Sequence, residues 1–429
     1  MASITVNTQT AVKKMKPMHG GGQPPVLANA KDTYFHYLTE AGIPYSRLHD
    51  VGGSFGDGKY VDIPNIFPNF DADENDPASY DFTFTDWLLN QLVDAGVEPY
   101  YRLGTTIENA SVRVKPLKTF PPKDYGKWAR ICEHIIAHYI DGWADGFHHR
   151  ITYWEIWNEP DNKQMWVGTA EDYYRLYDVA SKHLKSVFGD RIKVGGFASC
   201  GFYAVNTVNG NPFANSKETE LRLVEYFRNF MEYVKAHGSP LDFFSWHSYA
   251  PTMQTAEQDK WVKEQMIAYG YPDTELHLNE WCPYQELGGT GKQSAEIAGI
   301  MVAMQNGNED VLCIYDMRIG EPWYAPFFDC KTCKPHHGYY SAVAFNALYQ
   351  LGTQVKCECD TDGIYTAAAS NGKKHAMMIV NLTGRPQELT IDGVELADAR
   401  FYAIDDQRLL SWTANAREIG TDTVLLIEW

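Results

Sequence analysis

The sequence predicts an α/β fold, a (β/α)8 barrel followed by a small C-terminal antiparallel β-sandwich, and three observations carry that prediction. Short apolar runs alternate with longer amphipathic segments through most of the chain. Nearly every one of those runs ends in polar residues. After Gly352 the texture changes to short strand-like runs separated by Gly, Asn and Asp.

The strand candidates come in order. MKPMHG (15–20) is the first, then IPYSRLHD (43–50), EPYYRLG (98–104), ITYWEIWN (151–158), KVGGFA (193–198), DFFSWHSY (242–249), ELHLNEW (275–281) and VLCIYDM (311–317). Between them lie helix-like stretches at 84–96, 125–143, 170–189, 219–238 and 294–307, several opening near Thr, Ser or Asp and ending near Gly. Eight strands with intervening helices imply parallel βα units, and eight units in roughly 350 residues suit a closed TIM-type barrel with insertions. An open doubly wound sheet is the alternative. YYSAVAFNALYQLG (339–352) supplies a closing helix, so residues 1–352 read as the barrel. GIYTAAA, HAMMIVNLT, ELTIDGV, ARFYAID and TVLLIEW fill a β domain over 353–429, and the alternating SITVNT near the start could add a strand to it. NFDADENDPASYD (69–81) reads as a solvated acidic loop.

Composition narrows the function. The chain has 429 residues, 44% apolar and 21% charged, with a net charge of -18. That charge opposes nucleic acid and anionic membranes as partners, since both need a basic surface. No apolar run approaches the roughly 18–20 residues that span a bilayer. MASITVNTQTAVKKMK has no apolar segment of the kind a signal peptide carries, and eight cysteines do not make a disulfide scaffold, so a cytoplasmic location is expected. Aromatic residues make up 14%, which suits either a large aromatic core or rings that stack on sugar faces.

In a barrel, chemistry sits at the C-terminal ends of the strands. Those ends carry His19; Arg47, His49 and Asp50; Arg102; Asn158 and Glu159; His247 and Tyr249; Asn279, Glu280 and Trp281; Asp316 and Arg318. A purely structural barrel would favour Val, Ile and Leu there, so the list points to a pocket. Glu159 and Glu280 each follow an Asn, lie beside a Trp, and end strands 4 and 7 by this count. Glycosidic bond hydrolysis needs such a pair: one carboxyl protonates the leaving oxygen and the other attacks or activates water. The bland alternative makes Glu159 a loop cap and Glu280 a surface residue. Glu155, earlier on the same strand as Glu159, is expected in the barrel layers or in a salt bridge.

IWNEPDN (156–162) resembles the acid/base motif of clan A glycoside hydrolases, and LHLNEW (276–281) resembles their nucleophile strand. RLHD (47–50), AGVEPYYRLG (95–104) and DFFSWHSY (242–249) are similar to segments of glycoside hydrolase family 39, the β-xylosidase and α-L-iduronidase family. The resemblance implies Glu159 as general acid/base, Glu280 as nucleophile, Asn158 on the sugar 2-hydroxyl, and Arg47, His49, His247 and Tyr249 near the nucleophile and sugar. It also implies a retaining exo-acting glycosidase without a cofactor, acting on a short glycoside. Family members often oligomerise, so a homo-oligomer is open. A retaining mechanism needs carboxyl groups about 5–5.5 Å apart, and Glu159 should titrate high before reaction. Strand 8, IYDMRIGEPWY (314–324), departs from the xylosidase pattern, which leaves α-L-arabinofuranosides, β-galactosides and uronides as alternatives to the preferred β-xyloside; His19 and Trp281 are further candidates for sugar contact, and Trp323 or Tyr324 for a sugar platform, with core packing as the alternative for those two.

Other signals compete. HGGG (19–22) resembles an esterase oxyanion loop and GGSFG (52–56) matches G-x-S-x-G, but Ser54 is followed by Gly and Pro where a helix is required, and the glycines are expected in loops at the barrel mouth. A carbohydrate-binding protein without activity is a third class. Cys330 and Cys333 form C-x-x-C, and Cys357 and Cys359 form C-x-C; four thiolates could hold a structural zinc, with His336 and His337 nearby. Four ordinary thiols at the domain junction are the alternative.

Overall fold

The computed structural model describes residues 1–26, 34–51, 61–107, 119–206, 217–319, 324–414 and 417–429. Eight parallel strands close a barrel in sequential order: β2 (Gly20–Gly22), β3 (Tyr45–Leu48), β4 (Glu98–Leu103), β5 (Tyr153–Ile156), β6 (Lys193–Ser199), β7 (Phe243–Ser248), β8 (Glu275–Trp281) and β9 (Val311–Ile314). Helices follow the strands: α1 (His36–Ala41), α2 (Ile63–Ile66), α3 (Thr83–Asp94), α4 (Tyr125–Ile140), α5 (Ala170–Phe188), α6 (Glu218–His237), α7 (Thr252–Tyr269), α8 (Gly291–Asn306) and α9 (His337–Tyr349). Local chemistry sets their ends. On α5 the Thr169 hydroxyl accepts from the Asp172 amide while the Asp172 carboxylate accepts from the Thr169 amide, a reciprocal cap; α6 stops at Gly238 in the left-handed region.

Two expectations need correction. The first barrel strand is Gly20–Gly22, not residues 15–20. Glycine is required there by close packing: a Cβ on Gly20 would lie 2.5 Å from the Leu312 carbonyl oxygen, and one on Gly21 would lie 2.3 Å from Met317 Sδ. The HGGG run is therefore barrel wall rather than an oxyanion loop; Ser54 lies outside the described residues. Helix α7 was not expected at all. Its buried face opens with Thr252, Thr255, Gln258 and Asp259 before reaching Val262 and Met266, so it shows no apolar period. The face packs through polar contacts instead: Thr252 Oγ1 donates to Glu296 and the Phe202 amide donates to Gln258.

The remaining strands make one nine-stranded sheet, mostly antiparallel: β1 (Ala2–Lys14), β10 (Thr353–Cys359), β11 (Ile364–Ser370), β12 (His375–Asn381), β13 (Gln387–Asp392), β14 (Arg400–Asp405), β15 (Arg408–Thr413), β16 (Glu418–Ile419) and β17 (Thr423–Glu428). The expected sandwich is thus a single curled sheet, and β1 runs inside it between β10 and β13. Its two faces follow the period of a strand. Met378, Val380 and Leu426 join the core shared with the barrel helices, while Met377, Ile379, Leu425 and Ile427 line a second core with Ile4 and Val6. Each such side chain contributes roughly 1.5–3 kcal/mol when fully buried. Among the described residues, no helix is long and apolar enough to cross a membrane.

Candidate active site

The barrel interior is layered by strand register, and the layers rise from apolar to ionised. At the bottom, Tyr153, Phe243 and Tyr100 pack together, with His277 stacked on Phe243 at 4.6 Å. Two residues further along the strands stand Arg47, Glu155, Ser245 and Asn279. Glu155 is fully buried and receives Arg47 Nη2 at 2.6 Å, Ser245 Oγ at 2.6 Å and Asn279 Nδ2 at 2.5 Å. Its lone pairs are saturated, which fits an anchoring carboxylate and not a reacting one.

Above that layer the regular pattern breaks, and the breaks aim the polar side chains. The β7–β8 register slips after Trp246↔Leu278, so that Glu280 rather than Asn279 lies opposite His247. Such a bulge redirects side chains at a sheet's end. On β5 the chain leaves the strand through Trp157 at φ 72 and Glu159 at φ 45. Left-handed backbone at non-glycine residues costs about 1–3 kcal/mol each and persists where surroundings enforce it. Here the Trp157 amide donates to the Leu103 carbonyl and the Glu159 amide to the Ala198 carbonyl. Trp157 turns outward against Trp128 and Trp166, leaving Asn158 and Glu159 at the mouth.

One oxygen of Glu159, one of Glu280 and a ring nitrogen of His247 lie within 4.8 Å of one another. His247 Nδ1 is 2.8 Å from Glu159 Oε1, and its Nε2 is 3.7 Å from Glu280 Oε2. Tyr249 donates its hydroxyl to Glu280 Oε1 at 2.6 Å, Arg47 Nη1 donates to Glu280 Oε2 at 3.2 Å, and Arg47 Nη2 donates to Asn158 Oδ1 at 2.6 Å. Burial pushes both carboxyls up. Glu280 has a fixed guanidinium and a phenol to hold its charge; Glu159 has Asn162 Nδ2 at 3.4 Å and the Cys200 thiol besides His247. Donors to a carboxylate favour its charged form, and Glu280 has the stronger set. Burial also lowers His247, keeping its imidazole neutral. Acid/base division of labour requires surroundings that treat the two carboxyls differently.

Several buried polar atoms of the site residues have no hydrogen-bond partner among the described residues: Asn158 Nδ2, His247 Nε2 and His49 Nδ1. Leaving such groups unpaired is costly, so they mark where polar ligand atoms fit. Trp281 is 1% exposed and belongs to the core, which makes it wall rather than an open stacking platform. His49 is buried, and burial with Arg102 and Arg47 nearby holds it well below its ordinary range. Arg102 is engaged by Asp62 and the His49 carbonyl. Asp50, Tyr315, Asp316 and Arg318 form a closed network, with Tyr315 donating to Asp50 at 2.8 Å and Arg318 to Asp316 at 2.6 Å.

His19 is not part of the site. The strand begins after it, and its ring lies between Phe345 and Tyr349 on α9 with Nε2 on the Gly42 carbonyl. Trp323 lies outside the described residues. The four-cysteine zinc reading is also corrected: Cys333 packs on the barrel core while Cys357 and Cys359 pack on the second core, and the four thiols do not converge. Among the described residues, Glu159, His247 and Glu280 are the one group spaced to hold a metal. Residues that strand-end reading missed are Gln23, whose Oε1 accepts from the His49 amide, and the Ser199–Cys200 pair; the ring of Tyr324, considered with Trp323 as a sugar platform, meets Tyr249 and Tyr315. KVGGFA showed no polar end because β6 runs one residue further, to Ser199.

Comparison with known proteins places this geometry. The sequence is 25% identical over 277 residues to a β-xylosidase of Geobacillus stearothermophilus, covering 57% of this chain and 50% of that one. It is 26% identical over 216 residues to a β-xylosidase of Caldicellulosiruptor saccharolyticus, covering 49% and 37%. The chain thus spans half or less of the length of these curated relatives. In structure it resembles a glucosidase from Croceicoccus marinus, with TM-score 0.77, 21% identity, and 100% and 98% of the two chains covered. It also resembles a monomeric β-xylosidase from Caulobacter crescentus, with TM-score 0.68, 16% identity and 99% of each chain covered. At these identities the structural likeness concerns the fold alone. The sequence model of glycosyl hydrolases family 39 matches residues 11–277, which include Arg47, Asn158, Glu159 and His247 and stop just short of Glu280; the chain belongs to that family.

Proposed function

We propose that this protein is a retaining exo-glycosidase that hydrolyses short β-xylosides by double displacement. The observation that carries the reading is the pairing of Glu159 and Glu280 across His247, with an oxygen of each within 4.8 Å of the other. An inverting enzyme leaves room for a water, with carboxyls about 6.5–9.5 Å apart. Glu280, ionised between Arg47 and Tyr249, attacks the anomeric carbon. Glu159 gives its proton to the leaving oxygen, and the glycosyl–Glu280 ester forms. Glu159, now a carboxylate, then takes a proton from water, which attacks the same carbon and releases Glu280. Asn158, held by Arg47, offers its free Nδ2–H to the sugar 2-hydroxyl, where a hydrogen bond strengthens in the transition state.

The β-xyloside preference is supported by the names of the two curated relatives. A glucoside is the second reading, since a glucosidase is among the proteins that share this fold along the whole chain. The test is hydrolysis of aryl β-xyloside, β-glucoside, β-galactoside, α-L-arabinofuranoside and α-L-iduronide by wild type and Glu280→Ala. Turnover of β-xyloside above the others, abolished by the substitution, is expected. Turnover that survives the substitution sinks the assignment of Glu280.

A further inference from the structure

The reacting group also has the composition of a metal site. Glu159, His247 and Glu280 present two carboxylate oxygens and an imidazole nitrogen within 4.8 Å of one another. A zinc ion binds such atoms at about 2.0–2.2 Å, which in a tetrahedron spaces them about 3.3–3.6 Å apart. His247 Nε2 lies 3.7 Å from Glu280 Oε2, close to that spacing. His247 is fully buried, and its Nε2 has no hydrogen-bond partner among the described residues. With Nδ1 donating to Glu159, 2.8 Å away, the lone pair of the neutral imidazole is on Nε2. The third ligand has further to come. Glu159 is the member free to move: its side chain is 13% exposed at the barrel mouth, and the Asn162 bond to its Oε2 is long, at 3.4 Å. The same exposure gives an ion its way in.

Charge points in the same direction. Arg47 pairs with both Glu155 and Glu280, and among the described residues no lysine or arginine pairs with Glu159. Asp161 adds a buried carboxyl two residues further on, held by Ser199 Oγ at 2.8 Å and the Cys200 amide at 3.1 Å. Acidic side chains thus outnumber the cations here, and buried charges are paired or coordinate metals. We propose that Glu159, His247 and Glu280 form an inhibitory site for a zinc ion, which closes the catalytic pair by binding both carboxylates at once. One imidazole with two carboxylates selects zinc or copper over magnesium, which keeps an octahedral shell of oxygens. The ion is a reversible ligand taken from solution and not a part of the fold, so the protein keeps its stability without it. While it is bound, Glu280 cannot attack and Glu159 cannot carry a proton. That consequence rests on the proposed hydrolase reaction; the binding itself does not.

The test is calorimetric titration of the full chain with zinc chloride, in a buffer that does not bind metals, after any metal has been stripped with a chelator and the chelator removed. Zinc should bind, and magnesium chloride should give no heat. Glu159→Gln and Glu280→Gln keep the side-chain shape and each removes a charged ligand. Each should weaken zinc by about a hundredfold or more, since even partners outside a ligand set are worth about 10–100-fold. Either variant serves alone if the other does not fold. The double variant Cys330→Ser, Cys333→Ser removes the C-x-x-C thiols and should leave this binding unchanged. In turnover, zinc should raise the KM for an aryl glycoside with kcat unchanged, and chelator should reverse the effect. The proposal is overturned by a wild type that binds no zinc, by magnesium binding as tightly, by unchanged affinity in the folded glutamine variants, by binding lost with the cysteines, or by inhibition that lowers kcat alone. Zinc binding that needs Glu159 and Glu280 in a protein that cleaves no glycoside supports the metal site and removes the hydrolase reading instead.

Discussion

Replacing Arg47 by lysine keeps a positive charge in the barrel and removes the fork that distributes it. Arg47 is 1% exposed and makes four hydrogen bonds. Nε and Nη2 reach Glu155 at 2.9 and 2.6 Å, Nη2 also reaches Asn158 at 2.6 Å, and Nη1 reaches Glu280 at 3.2 Å. A lysine ammonium is a single point on a flexible stem. Placed on Glu155 it spares that carboxylate the penalty of a buried unpaired charge, but it abandons Asn158 and Glu280. Two lost bonds to a charged donor, at about 1.5–3 kcal/mol each, give a destabilisation of roughly 3–6 kcal/mol. The rate should suffer as well, because Asn158 and Glu280 lose their common anchor. If about 3 kcal/mol of that loss falls on the transition state, turnover drops roughly hundredfold. Urea unfolding of Arg47→Lys, with unchanged slope and a lowered midpoint, measures the first effect, and turnover of the aryl glycoside measures the second. Stability within about 0.5 kcal/mol of wild type, the range of a plain surface change, with normal turnover would refute the reasoning.

Further outcomes follow from the same geometry. Glu159→Gln should slow substrates with poor leaving groups about 10²–10⁴-fold and those with dinitrophenyl groups far less in the first step, and added azide should restore turnover as a glycosyl azide, since a small anion needs no general base. Tyr249→Phe removes the hydroxyl that donates to Glu280 at 2.6 Å. Glu280 must be ionised to attack, so its higher proton affinity should move the acid limb of the kcat/KM profile to higher pH by about one unit. Chelator treatment should leave the melting temperature unchanged, because Cys330 and Cys333 do not converge with Cys357 and Cys359; a melting temperature lowered by chelator would contradict that separation.

What could be read in the sequence follows from where side-chain pattern and structure coincide. Strands β3 to β9 alternate strongly or run apolar between turn residues, and seven of the eight barrel strands coincide with the runs read for them. The exceptions have physical causes. Gly20–Gly22 carries no side chains to make a pattern, and it is a strand because only glycine fits between Leu312 and Met317. Helix α7 buries Thr252, Thr255 and Gln258, so its inner face looks like an outer one. At the site, the ends of β5 and β8 announced Glu159 and Glu280 as paired carboxylates beside Asn and Trp. The hydrogen bonds among Arg47, Glu155, Asn158 and Asn279 depend on three strands, β3, β5 and β8, being brought together by the barrel, and a linear reading could place Glu155 only as a buried partner. His19 was misread because the strand starts one residue after it. Asp161 went unremarked because a carboxylate in a loop after Pro160 looks solvated, and only the fold presses Ser199 and Cys200 onto it.

The central claim is that Glu280 forms the bond to the sugar. It is tested most directly by incubating the protein with an activated 2-deoxy-2-fluoro-β-xyloside, which forms the glycosyl–enzyme quickly and hydrolyses it slowly, then digesting it and locating the added mass by tandem mass spectrometry. The account predicts one adduct per chain, on the peptide containing Glu280 and at that residue. An adduct on Glu159 or Glu155, or turnover of the ordinary xyloside with inversion at the anomeric carbon, would contradict it.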